Sequence, residues 1–153
     1  MRQAKAPAIR ALTLDEWELL MQSGQGDWLL FDIAPCDGDF LIVERAGQML
    51  AYLQHCPHEE RADWHVLNRL ETRPYYRRRG YAYMLVKRAI TDSGATQIIA
   101  RGVLKDAAGF WLHLGFRPDG YGADIDLDVR YSEGNYIWTP RSGSQGKLSA
   151  HLE

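Results

Sequence analysis

The stretch from residue 65 to residue 100 constrains the chain more than any other. Residues 65–72 read as a strand, and Arg73-Pro74 ends it because proline cannot donate into a ladder. A turn containing Gly80 follows. From about Gly80 to Asp92 the apolar residues Ala82, Leu85, Val86 and Ala89 recur at helical spacing, with Lys87 and Arg88 outward and Gly94 as the stop. Thr96–Ala100 then reads as a short buried strand. A strand, a helix and a second strand in this order demand a sheet for the strands and a layer for the helix.

The flanking residues extend that layout. Thr13-Leu14-Asp15-Glu16 has the form of a capping box opening a helix through about Met21, with Gly24 as its end. Residues 1–10 look like a loose lead-in. Residues 39–45 and 49–55 flank Ala46-Gly47-Gln48 as a hairpin. Lys105–Leu114 reads as a second amphipathic helix with Ala107, Phe110, Trp111 and Leu114 on one side and Gly115 beyond its end. Asp124-Ile125-Asp126-Leu127-Asp128-Val129 alternates as a strand does, and Asn135–Thr139 is another strand. The Ser/Gly-rich residues 141–153 are expected to form a mobile tail. Residues 1–153 are therefore expected to form a single α/β domain with its core in about 10–140, a mixed, mostly antiparallel sheet flanked by helices.

Bulk properties narrow the classes. A net charge of −2 points to neither a nucleic-acid coat nor a polybasic membrane anchor. No run approaches the roughly 20 apolar residues that span a bilayer, and no signal-peptide core stands at the N-terminus. Cys36 and Cys56 are too few for a disulfide framework and suit a reducing cytoplasm, the expected location. His55-Cys56-Pro57-His58, with His65 nearby, has no second paired cluster and is read as loop residues, so no metal is expected.

The chemistry concentrates in Arg77-Arg78-Arg79-Gly80-Tyr81-Ala82. A glycine turn between a strand and a helix N-terminus offers unpaired backbone N–H groups and the positive end of the helix dipole, which suit a pyrophosphate. Gly80 lets the backbone approach the ligand, Ala82 keeps the first turn narrow, and the arginines add charge-assisted donors. An arginine-rich RNA patch with Tyr75, Tyr76 and Tyr81 as stacking groups is the rival reading, and the overall acidity argues against it.

Arg77-x-x-Gly80-x-Ala82 resembles the R/Q-x-x-G-x-G/A turn of the GNAT superfamily of N-acetyltransferases. Ala107-x-x-Phe110-Trp111-x-x-x-Gly115-Phe116 resembles that family's A-x-x-F-Y-x-x-x-G-F helix end. The resemblance covers roughly residues 10–140. It implies a sheet splayed at the cofactor site and an acyl-CoA-dependent transferase with acetyl-CoA as cosubstrate. The turn Arg77, Arg78, Arg79, Gly80, Tyr81 and Ala82 would hold the CoA pyrophosphate. Leu70, Glu71 and Thr72 would lie along the pantetheine arm, the backbones of Leu70 and Thr72 bonding the acyl carbonyl and the amides. Leu104 and Trp111 fall at further cofactor positions.

Two positions depart from the family pattern. Trp111 replaces the usual tyrosine, and an indole N–H can donate a hydrogen bond but cannot serve as a general acid. Leu104 stands where an asparagine is frequent. Asn68, Glu71, His65 and Tyr131 are the candidates for acid or base. Alternation places His65 and Glu71 on one face of their strand and Asn68 and Leu70 on the other. Tyr136 is read as packing if it does not reach the thioester, and His113 as a surface residue. Asp124, Asp126 and Asp128 form either the wet face of a strand or an acidic wall drawing in a cationic amine. The resulting expectation is acetyl transfer to a primary amine on a small molecule or peptide, with a CoA-binding regulatory module lacking turnover as the alternative and a homodimer left open.

Overall fold

In the computed structural model, residues 6–30, 38–119 and 134–140 are described. The elements are β1 (Ala8–Leu12), α1 (Leu14–Gln22), β2 (Asp39–Arg45), β3 (Gln48–Pro57), β4 (Trp64–Thr72), α2 (Tyr81–Ser93), β5 (Gln97–Val103), a 3₁₀ turn (Lys105–Ala107), α3 (Ala108–His113), β6 (Arg117–Pro118) and β7 (Gly134–Trp138). The strands form one seven-stranded sheet in the order β1-β2-β3-β4-β5-β7-β6, a mixed α/β architecture. β1–β2, β2–β3, β5–β7 and β6–β7 are antiparallel pairs.

The chain divides into two compact units. The first comprises Met1–Cys56 and Leu67–Asp92, the second Pro57–Val66 and Ser93–Glu153. In the first unit, Thr13 accepts from the Glu16 N–H at 3.2 Å while Glu16 accepts from the Thr13 N–H at 3.1 Å, which closes the N-terminus of α1 with its own side chains. Trp17, buried on that helix, stacks on Phe40 with ring centroids 4.2 Å apart and touches Tyr52 at 4.8 Å. Leu12, Ile42 and Met49 complete this cluster. The β2–β3 hairpin turns on Ala46 and Gly47, at φ 51° and 79°. Positive φ at both central residues matches the right-handed twist of the strands. In the second unit Trp111 packs edge-on against Phe116, with centroids 4.9 Å apart, and Tyr136 and Leu114 are buried with it.

Several sequence expectations need correction. Residues 8–10, read as part of a lead-in, belong to β1, which pairs with Phe40–Glu44. The expected helix Lys105–Leu114 is a 3₁₀ turn followed by a six-residue helix, and Ala108 rather than Ala107 is the buried alanine. On α2, Tyr81 joins Leu85, Val86 and Ala89 in the core while Ala82 is half-buried. His55, Cys56 and Pro57 belong to the end of β3 and are not loop residues. β5 runs to Val103, three residues beyond the expected end. Asp124, Asp126, Asp128, Tyr131 and the 141–153 tail lie outside the described residues.

Candidate functional site

The loop joining β4 to α2 is conformationally unusual. Arg73 C=O accepts from the Tyr76 N–H at 3.0 Å, with Pro74 and then Tyr75 (φ 72°) between them, the pattern of a type II turn with a tyrosine where glycine is normal. Arg78 follows at φ 63° and Gly80 at φ 82°. Of the non-glycine residues at positive φ among those described, Tyr75 and Arg78 are in this loop, and the third, Ala46, is in a hairpin turn. A bulky side chain in the left-handed region costs about 1–2 kcal/mol, so this loop holds a shape the chain does not prefer.

That shape leaves the N-terminus of α2 open. Gly80 C=O accepts from the Met84 N–H at 3.0 Å, which makes Gly80 the first flank of the helix. It has no side chain with which to cap, and the first turn contains no acidic residue. A Cβ added at Gly80 would meet no protein atom within 4 Å. By contrast, α1 closes its own N-terminus with the Thr13–Glu16 box. Among the described residues no side chain covers the Gly80 position at the first turn of α2, which lies beside Arg77, Arg78 and Arg79, all exposed. The Arg79 guanidinium lies 5.1 Å and that of Arg45 5.7 Å from the Tyr76 ring centroid. Tyr75 is 94% exposed. Tyr81 is buried, so only its backbone can face a ligand.

β4 is tied to β3 by side-chain bonds just before this loop. Tyr52 and Cys56, four residues apart on β3, share a face of that strand. The Tyr52 hydroxyl donates to Glu71 Oε2, and Asn68 Nδ2 donates to Cys56 Sγ at 3.2 Å. Asn68 and Glu71 are three apart, so strict alternation would place them on opposite faces. Each nonetheless bonds to a residue of β3, Glu71 to Tyr52 and Asn68 to Cys56.

Glu71 is fully engaged on its own side. Oε1 accepts from the Leu30 N–H at 2.8 Å and Oε2 from the Tyr52 hydroxyl. Burial, and next the carboxylate of Glu71, push the Tyr52 phenol well above its ordinary range, so it stays protonated and acts as a donor. Arg73, after β4, donates from Nε to Met49 C=O at 3.0 Å, reaches Gln25 with Nη2, and lies 5.6 Å from the Trp28 ring centroid. Neither of these long-range arrangements was read from the sequence, because nothing local signals them.

The other candidates are placed as follows. Asn68 is buried and Leu70 and Thr72 half-buried on β4 in the first unit. His65 is half-buried in the second unit. Trp111 is 6% exposed and packed between Phe110 and Phe116, and Tyr136 is fully buried. Leu104 is 51% exposed and His113 exposed. No group of three or more His, Cys, Asp or Glu side chains converges as metal ligands among the described residues. No helix among them is long and apolar enough to cross a membrane.

A family model described as "Acetyltransferase (GNAT) domain" matches residues 36–118, more than half of the chain. Solved structures of similar fold include the diaminobutyrate acetyltransferase EctA from Paenibacillus lautus, in complex with L-2,4-diaminobutyric acid and coenzyme A. It shares 15% identity over 89% of this chain and 96% of its own, at a TM-score of 0.59. The Bacillus subtilis N-acetyltransferase YlbP, in complex with coenzyme A, matches at 18% identity, 87% and 97% coverage and a TM-score of 0.59. An acyl-CoA N-acyltransferase from Pseudomonas aeruginosa matches at 18% identity, 86% and 99% coverage and a TM-score of 0.59. At such identities the likeness is one of fold. No protein of curated function matches in sequence.

Proposed function

The chain belongs to the GNAT acetyltransferase family, and on that premise we propose that it transfers an acetyl group from acetyl-CoA to a primary amine by direct attack. The observation that carries this reading is the open N-terminus of α2 behind Gly80, flanked by three exposed arginines. The pyrophosphate sits on the first-turn N–H groups of α2, with Arg77, Arg78 and Arg79 supplying charge. Leu70, Glu71 and Thr72 lend their backbone to the pantetheine arm. The Leu70 and Thr72 backbone N–H groups donate to the thioester carbonyl as it becomes an oxyanion. The neutral amine attacks that carbon, the C–S bond breaks, and CoA leaves as a thiolate that takes up a proton.

Of the four acid–base candidates, Glu71 is the only carboxylate, and we assign it the amine's proton, directly or through a water. The two compact units form one acyltransferase domain in this reading, a view supported by a family match that crosses every boundary between them. The acceptor is a cationic amine on a small molecule or peptide, which the alternating acids Asp124, Asp126 and Asp128 suit electrostatically.

The test is acetyl-CoA incubated with a panel of amines, amino acids and peptides, following free thiol and acetylated product by mass spectrometry. Thiol release that requires an acceptor is the expected result. CoA binding with no acceptor-dependent release across the panel would favour the module without turnover.

A further inference from the structure

The segment Gln25–Leu30 follows α1 and makes few bonds of its own, Leu29 N–H to Gly26 C=O at 3.1 Å being one. β3 and β4 hold it instead. Leu30 N–H donates to Glu71, Met49 N–H donates to Gln25 Oε1 at 3.1 Å, and the Arg73 guanidinium reaches Gln25 and stacks near Trp28. On the reading of Glu71 as the proton acceptor, the segment is the wall standing against the reacting amine.

Arg73 is unusual in belonging to two structures at once. Its backbone N–H donates to Leu50 C=O at 2.8 Å, and its C=O closes the Pro74-Tyr75 turn that opens the cofactor loop. Its side chain leaves that loop and grips the wall. The grip is loose: Nη2 lies 3.5 Å from Gln25 C=O and 3.4 Å from Gln25 Oε1, both beyond the usual range for N–H···O bonds. Among the described residues Arg73 has no carboxylate partner. Among the described residues the buried Trp28 Nε1–H has no acceptor. The guanidinium is anchored by Nε on Met49 C=O at 3.0 Å, and its two stretched bonds to Gln25 are ones that a small displacement can improve.

We propose that Arg73 is a positioning residue that transmits occupancy of the Arg77–Ala82 turn to the Gln25–Leu30 wall, so that CoA binding firms the wall before the amine arrives. The inference rests on the turn being the CoA site. A bound pyrophosphate fixes the backbone of the loop and, through the Arg73–Tyr76 bond, the backbone of Arg73. With its backbone already fixed, less conformational freedom is lost when the guanidinium tightens on Gln25, which couples the two places without a large change of shape. By linkage, a ligand seated against the wall binds the CoA-loaded protein more tightly by the same factor.

Hydrogen–deuterium exchange on the full chain, with and without saturating CoA, tests this. In the parent, CoA should slow exchange both at residues 77–85 and at residues 25–30, the latter by about fivefold or more, the lower end of ordinary coupling. Arg73→Met keeps the length of the stem but removes the fork. It should retain the slowing at 77–85 and lose it at 25–30, and Gln25→Ala, which leaves β4 untouched, should do the same. CoA protection at 77–85 with none at 25–30 in the parent overturns the coupling, as does protection at 25–30 that survives both variants. Absence of protection at 77–85 in the parent removes the CoA assignment itself, and the coupling with it.

Discussion

Gly80 and Gly47 allow the cofactor site to be tested by a matched pair of substitutions. Both are exposed, both are left-handed, at φ 82° and 79°, and a Cβ at either would meet no protein atom within 4 Å. Alanine at either position should therefore cost the same backbone strain, about 1 kcal/mol, and nothing from steric clash. In a chain of this size that lowers Tm by roughly 2–4 °C in each variant. The strain is present with and without ligand, so it cancels from any ligand-induced shift. CoA at 100 times its Kd should stabilise the parent and Gly47→Ala by about 2.7 kcal/mol. In Gly80→Ala the new methyl stands where the pyrophosphate must approach the first-turn N–H groups, and most of that gain should vanish. Thermal melts of the three proteins across a CoA titration decide the matter. Equal CoA-dependent shifts in the two variants would refute the site, and unequal melting temperatures without CoA would refute the premise of matched strain.

Three further outcomes follow from particular contacts. Tyr52→Phe removes the donor to the Glu71 carboxylate and should lower the unfolding free energy by about 1.5–3 kcal/mol, read from the urea midpoint, because the lost bond is to a charged group. Trp111→Phe should lower stability through the lost Phe110 and Phe116 contacts yet keep turnover within about tenfold, whereas a loss of about 10²-fold, the scale of a general acid, would contradict its exclusion from the proton transfer. Burial lowers the pKa of His55, against the opposing pull of Asp39 and Asp92, so the folded state prefers the neutral ring. Its contribution is complete above the unfolded value of about 6.5 and declines as pH falls from there toward the folded value. His55→Gln should flatten that part of the stability curve, and an unchanged slope would contradict the assignment.

The sequence disclosed those features whose causes are local. A capping box needs four consecutive residues, a two-residue hairpin turn needs Ala46-Gly47, and α2 needs its own apolar spacing, so each was legible and each formed. β1 was not, because five residues with one fully buried side chain have little pattern, and their strand character comes from pairing with β2. The same distinction runs through the site. The Arg77–Ala82 turn could be read because a proline stop, a glycine and a helix start are all written within a few residues. The surroundings of Glu71 could not, because they depend on Tyr52, 19 residues away on a different strand. Arg73 is harder still, its side-chain partner Gln25 being 48 residues distant.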